Sequence, residues 1–132
     1  MAKKFMIVDE RAISRHLVRQ VAATAQDTVL ECGTPEEALK SVGIFKPDCV
    51  VMGISQPTPE ILGVIKSIRE TYPQVRVVAM SSIYESRLQQ IAAEAGASGY
   101  VTTENLSELF LLAAPERLTL RSRRQKKSRR KK

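Results

Sequence analysis

The chain has 132 residues, of which 43% are hydrophobic, which is enough for one ordinary domain with a real core and a short appendage. Its net charge of +7 is uneven: residues 1–114 hold 11 Lys/Arg against 13 Asp/Glu (net −2), and residues 115–132 hold 10 Lys/Arg against one glutamate (net +9). No stretch approaches the roughly 20 apolar residues of a membrane span, and Asp9 interrupts the apolar start too early for a signal peptide. We therefore expect a soluble, cytoplasmic protein.

The chain opens with a predicted strand and an amphipathic helix. Residues 5–8 are apolar, and the next apolar side chains recur at helical spacing: Ile13, Leu17, Val18 and Val21. His16 lies beside this stripe and is interpreted as a surface or boundary residue. Residues 27–32 predict a second strand.

A second helix has start and stop signals in the sequence. Thr34 is the predicted N-cap, Pro35 occupies the first helical position and Glu37 completes a capping box. Gly43 is expected to end the helix. Residues 48–52 are nearly all apolar, which is typical of a central parallel strand buried on both faces.

The alternation continues in the second half of the chain. A third helix, ended by Pro73, carries Ile61, Leu62, Ile65 and Ile68. Residues 75–80 predict a fourth strand. A fourth helix, ended by Gly96, carries Leu88, Ile91, Ala92 and Ala95. Residues 98–102 predict a fifth strand.

Strand and helix alternate to the end of the domain. Asn105, with Glu108 three residues later, is expected to cap a last helix that Pro115 ends and that bears Leu106, Leu109, Phe110 and Ala113. The (βα)5 order predicts an α/β fold, a doubly wound parallel sheet with helices on both faces. The common order at this length is the flavodoxin-like 2-1-3-4-5. It places the functional crevice between strands 1 and 3, where Asp9, Glu10 and Gly53 would lie.

The two cysteines carry no sign of chemistry. Cys32 and Cys49 both lie in apolar runs, and their spacing matches neither a metal site nor a disulfide framework. We interpret them as reduced core residues, because free cysteine is commonly buried.

Four segments carry a family resemblance: MIVDE after the start, KPDCVVMGISQP around the third strand, VVAMSS at the fourth and AGASGYVTTENL at the fifth. Over about residues 3–113 the chain resembles the receiver domain of bacterial two-component response regulators. Members of that family use an acidic pair and a phosphoacceptor aspartate to hold Mg²⁺, and a Ser/Thr and a Lys to contact the phosphoryl group. The chemistry explains the set, because a carboxylate attacks phosphorus and hard oxygen ligands suit Mg²⁺.

Part of that set is retained. The resemblance implies that the acidic pair falls on Asp9 and Glu10, the hydroxyl position on Ser81 and the switch aromatic on Tyr100. In the family, the face formed by the fourth helix, fifth strand and fifth helix often contacts protein partners.

The other part is missing. The phosphoacceptor position falls on Gly53 and the lysine position on Thr103, and the proline that usually follows the lysine is replaced by Glu104. Glycine cannot form an acyl phosphate, and losing a carboxylate removes a metal ligand, so we expect weak Mg²⁺ binding or none and no other cofactor. Two alternatives stay open: a turn glycine in an alignment shifted by one or two residues, or an introduced substitution. Asp48 offers no rescue, because it lies at the start of its strand.

The resemblance therefore implies a degenerate receiver rather than an enzyme: a phosphorylation-independent interaction module that binds a protein partner in signal transduction. A conventional phosphoaccepting receiver is one alternative. Another is a nucleic-acid-associated regulator that acts through its tail.

The tail, residues 115–132, is too polar to form a core and is predicted to be disordered. Its dense charge suits non-specific, salt-dependent binding of nucleic acid or another polyanion, without base stacking because aromatic residues are absent. The residues concerned are Arg117, Arg121, Arg123, Arg124, Lys126, Lys127, Arg129, Arg130, Lys131 and Lys132. A bare solvated tail, an anionic membrane, an acidic protein and fold-back onto Asp9 and Glu10 remain alternatives.

Overall fold

The computed structural model of the protein describes residues 2–106. The strands are β1 Lys4–Val8, β2 Thr28–Cys32, β3 Cys49–Gly53, β4 Arg76–Ser81 and β5 Gly99–Thr102. The helices are α1 Ala12–Ala22, α2 Pro35–Phe45, α3 Pro59–Thr71 and α4 Ser86–Ala95, and a 3₁₀ turn follows at Thr103–Asn105. Asn105 therefore lies in that turn. The predicted last helix beyond it, and the basic tail, lie outside the described residues.

The sheet has the predicted topology. All neighbouring strands are parallel, and their order is β2-β1-β3-β4-β5. Each predicted strand agrees with the observed one to within one residue at either end. The α/β fold with order 2-1-3-4-5 is thus confirmed.

The strands bury both of their faces. On one face, side chains such as Met6 and Val50 pack with residues of α2, α3 and α4. On the other face, Phe5 and Val51 belong to a second cluster with Val18 and Ala22 of α1. Helices therefore cover both faces, which is why these strands read as nearly continuous apolar runs.

Helix α1 forms as predicted, but the side of the helix that faces the sheet is not the one that the apolar residues predicted. The buried residues are Ser14, Val18 and Ala22, whereas Ile13 is 72% exposed and Leu17 is 42% exposed. The buried residues are four apart, so they form one row on the helix surface, and Ile13 and Leu17 lie on the adjacent row. His16 is exposed, as expected.

The predicted stop of α2 at Gly43 is wrong. The helix continues to Phe45 and ends at Lys46, which adopts the left-handed conformation (φ 54°) while its N–H donates to the Val42 carbonyl. A Cβ at Gly43 would lie 2.6 Å from the Tyr72 hydroxyl, so this glycine allows a close approach instead of ending the helix.

Other helix ends agree with the sequence. The Thr34 side chain caps α2 by accepting from the Glu37 N–H, while the Glu37 carboxylate accepts from Gly33 N–H in a shifted form of the capping box. Helix α4 ends at Gly96, as predicted, with φ 115°. Helix α3 ends before Pro73, again as predicted.

The cysteines are buried, free thiols in strands, as expected. Burial raises the pKa of the Cys49 thiol to about 12, against a smaller lowering by Arg76. Burial also raises the pKa of Cys32, and the Glu37 carboxylate raises it further. Both thiols are therefore poor nucleophiles at neutral pH. No helix within residues 2–106 is long and apolar enough to cross a membrane.

Candidate functional site

The predicted crevice lies at the carboxyl ends of β1 and β3. Val8 pairs with Met52, so the residues that follow them, Asp9 and Gly53, lie side by side where the two strands end. Together with Glu10 they line a cleft of about 560 Å³ that extends between the starts of α2 and α3. The three residues thus lie together at the crevice that the strand order predicts, and we refer to this space as the β1–β3 cleft.

Asp9 is held in place by the chain around it. It is only 8% exposed. Its Oδ1 accepts a hydrogen bond from the Arg11 N–H at 2.8 Å, and the Arg11 guanidinium Nε lies 3.6 Å from the same oxygen. The Asp9 carbonyl accepts from Arg15 Nη1 at 2.7 Å. Both the backbone and the side chain of Asp9 are thereby fixed.

Gly53 supplies the room that this arrangement of Asp9 needs. A Cβ built on Gly53 would lie 2.5 Å from Asp9 Oδ2 and 3.1 Å from Asp9 Cγ. Real Cβ atoms do not approach other heavy atoms this closely, so the Asp9 carboxylate fills the space in which a side chain at position 53 would begin.

A charged network behind the cleft anchors Asp9 further. Glu31 of β2 pairs with Arg15 at 3.2 Å and with Arg19 at 2.7 Å, both from α1. Because Arg15 also holds the Asp9 carbonyl, this network ties the β1–α1 loop to β2. Sequence reasoning missed Arg11, Arg15 and Glu31. The available signal was the recurrence of basic residues at four-residue spacing directly after the acidic pair.

Ser81 and Thr103, which the resemblance places at the hydroxyl and lysine positions, are not among the residues that line the cleft. Ser81, at the end of β4, is buried, and its Oγ accepts from the Ile83 N–H at 3.4 Å. The Thr103 hydroxyl donates to the Ser82 carbonyl at 3.4 Å. Both hydroxyls thus contact the loop between β4 and α4.

Tyr100 of β5 contacts the same loop. Its hydroxyl donates to the Ile83 carbonyl at 2.9 Å, and its ring packs edge-on against Tyr84, with centroids 6.1 Å apart and planes at 75°. Tyr100 is half-buried, whereas Ile83 is 62% and Tyr84 65% exposed. The loop therefore presents two apolar side chains to solvent beside a tyrosine that is held in place.

Comparison with known proteins agrees with this architecture. The profile of the family described as "Response regulator receiver domain" matches residues 5–112. The chain belongs to this family. Receiver domains are signalling modules of two-component systems that bind protein partners and are not enzymes in themselves, as the sequence predicted for this chain.

Two relatives differ in how much of their own length the match covers. The chemotaxis protein CheY of Halobacterium salinarum is 28% identical over 102 residues, covering 77% of this chain and 85% of that protein. The DNA-binding transcriptional activator DevR/DosR of Mycobacterium tuberculosis is 29% identical over 105 residues, covering 79% of this chain but only 48% of that protein.

Solved receiver structures show the same fold. A response regulator from Thermotoga maritima superposes with a TM-score of 0.75 at 25% identity, covering 90% of this chain and 96% of that one. A LuxR-family response regulator from Aurantimonas sp. SI85-9A1 has a TM-score of 0.72 at 29% identity, with 83% and 80% covered.

The receiver family implies Mg²⁺ in the β1–β3 cleft, but the side chains there do not fit it. Mg²⁺ demands near-octahedral oxygen coordination, whereas Asp9 Oδ1 already accepts the Arg11 N–H and has the Arg11 guanidinium Nε 3.6 Å away. Position 53 offers no carboxylate. Within residues 2–106 no group of three or more His, Cys, Asp or Glu is arranged to hold a metal ion.

Proposed function

We propose that this receiver domain acts in signal transduction as a phosphorylation-independent interaction module. The observation that carries the proposal is the pairing at the end of β3, where Gly53 has no nucleophile and Asp9 occupies the space beside it. An acyl phosphate needs a carboxylate at that point. Neither a serine nor a threonine hydroxyl forms the same species.

The residues that follow β4 and β5 at the same edge of the sheet support the same reading. Thr103 stands where the family places its lysine, so a fixed cation that would stabilise the phosphoryl oxygens is lacking there. Ser81 and Thr103 instead bond to the β4–α4 loop. Losing two separate parts of one reaction centre argues against a single chance substitution.

We further propose that the partner docks on the face that includes α4 and β5. Ile83 and Tyr84 give this face an apolar centre, and Tyr100 holds their loop through the Ile83 carbonyl. Without a phosphate to engage Ser81, the phosphate-driven change of tyrosine position is absent, and we propose that Tyr100 stays in this conformation and that the docking surface is permanent. The fifth helix, which the prediction adds to this face, lies outside the described residues.

The test of phosphorylation independence is direct. The full chain is incubated with acetyl phosphate and Mg²⁺ and its intact mass is measured, with a receiver domain that carries the aspartate as positive control. We expect the mass of this chain to stay unchanged while the control gains one phosphoryl group. A hydroxylamine-labile phosphoryl adduct on this chain would show that it is a conventional receiver.

A second function is favoured by the charge of the tail. Residues 115–132 carry a net charge of +9 on a chain whose remainder is mildly acidic. We propose that these residues bind a polyanion such as nucleic acid through phosphate contacts, without choosing a sequence. This activity would accompany the docking face rather than replace it.

A further inference from the structure

The β1–β3 cleft has an excess of negative charge. Its lining includes four carboxylate residues, Asp9, Glu10, Glu36 and Glu60, and of the described residues that line it only Arg11 is basic. A cleft lined mainly by negative charge attracts cations. Asp9 is the most buried of the four, so its negative charge is the one that most needs a nearby positive group.

Arg11 is placed to supply that balance. Its backbone N–H and its guanidinium both address Asp9 Oδ1, at 2.8 Å and 3.6 Å. The Asp9 side chain is 6% exposed while that of Arg11 is 49% exposed, so the arginine covers the carboxylate from the solvent side. A divalent cation that binds Asp9 Oδ1 would therefore lie close to the positive charge of Arg11.

We propose that Arg11 is the resident counter-ion of Asp9 and keeps divalent cations out of the cleft. The proposal deepens the proposed function and rests on it, because it explains how a receiver without a metal or phosphate keeps its acidic residues in place. Gly53 and Arg11 then have complementary roles. The absence of a side chain at Gly53 leaves room for the Asp9 carboxylate beside the end of β3, and the Arg11 guanidinium compensates the charge of that carboxylate.

The experiment titrates the full chain with MgCl₂ and follows the backbone amide shifts of Asp9, Glu10 and Gly53 by NMR, against NaCl at matched ionic strength. Three proteins are compared: the wild type, Arg11→Gln and the control Arg87→Gln. Arg87 is an exposed arginine of α4 that does not line the cleft. Thermal unfolding of each variant with and without Mg²⁺ provides a second readout.

We expect Arg11→Gln to bind Mg²⁺ with an apparent affinity up to about fivefold above that of the wild type and of Arg87→Gln, the effect of removing one half-exposed ion pair. Mg²⁺ should raise the unfolding temperature of Arg11→Gln by more than that of either other protein. The conservative variant Arg11→Lys should behave like the wild type.

Equal behaviour of the wild type and Arg11→Gln would overturn the proposal, whether both bind Mg²⁺ or neither does. That failure is distinct from failure of the proposed function, which is read from a phosphoryl adduct in the intact mass. A chain that gains no adduct while Arg11→Gln gains no Mg²⁺ remains phosphorylation-independent, with Arg11 excluded as the cause of metal exclusion.

Discussion

The Asp9 carboxylate lies at the end of β3 in the space that a side chain at position 53 would enter. This contact defines the site. The carboxylate is fixed by the Arg11 N–H and cannot rotate away without losing that bond. Any side chain at position 53 must therefore shift a buried, hydrogen-bonded carboxylate, so in this chain the glycine affects packing as well as chemistry.

Replacing this glycine should destabilise the protein. We expect Gly53→Ala to lower the free energy of unfolding by about 1–2 kcal/mol, the usual cost of forcing an extra carbon into a packed site. Urea denaturation monitored by circular dichroism measures the change.

The control is Gly63→Ala in α3. A Cβ there meets nothing within 4 Å, so alanine only improves helix propensity and should raise stability by up to about 1 kcal/mol. Similar effects at both glycines would mean that Asp9 does not occupy the room beside Gly53.

The sequence could predict which residues meet at the cleft, but not how they contact one another. Asp9, Glu10 and Gly53 follow from strand order, because parallel strands end at one edge of the sheet. The position of the Asp9 carboxylate depends on its side-chain conformation and on the Arg11 N–H, while the Asp9 backbone is held by Arg15, which is bound to Glu31 of another strand. No local pattern encodes that contact.

At the scale of elements, two helices end in the left-handed conformation by different means. Helix α4 ends at Gly96, where φ is 115°, and α2 ends at Lys46, where φ is 54°. A glycine adopts such angles without strain, whereas a residue with a Cβ adopts them at a cost. The prediction that α2 ends at Gly43 was wrong: Gly43 lies within the helix, where its missing side chain leaves room for the Tyr72 hydroxyl.

These two ends should respond to mutation in opposite directions. Gly96→Ala is expected to cost about 1–2 kcal/mol, because alanine is strained at this φ and its Cβ would lie 2.7 Å from Arg69 Cγ. Lys46→Gly should gain about 0.5–1 kcal/mol by relieving the same kind of strain. Denaturant midpoints of both variants test the pair; a stable Gly96→Ala would contradict the assignment of Gly96 as the α4 cap.

Element positions were the most predictable part of the fold. Strands such as β3 are buried on both faces, so nearly all of their residues are apolar and a short apolar run in the sequence indicates them. The phase of α1 was harder. Ile13 and Leu17 share a helical row, but Ser14 shares the buried row with Val18, and a serine carries no hydrophobic signal.

At the scale of the whole molecule, charge separates the chain into two parts with different physical behaviour. The mildly acidic part, residues 1–114, has a net charge of −2, and residues 115–132 have +9. A part with a net charge of −2 offers little overall electrostatic attraction to nucleic acid, so we expect polyanion binding by the full chain to depend on the tail.

Polyanion binding by the full chain should therefore depend steeply on salt. If about five of the ten basic residues contact phosphates, the logarithm of the affinity for duplex DNA should fall with the logarithm of salt concentration with a slope of about −4 to −5. Fluorescence anisotropy at several NaCl concentrations measures it. Replacing the six basic residues within 126–132 by glutamine should flatten the slope, and the control Arg87→Gln should not; a slope near zero in the unaltered chain would remove the second function.

The hydrogen bond between Tyr100 and the Ile83 carbonyl has a consequence for how such a module can be controlled. On the proposed function the docking face has a single form, so the fraction of partner that is occupied depends only on the affinity and on the two concentrations. A cell would then adjust the output by synthesis and degradation of the chain. The response would be graded, and it would persist for the lifetime of the protein instead of ending when a phosphate is hydrolysed.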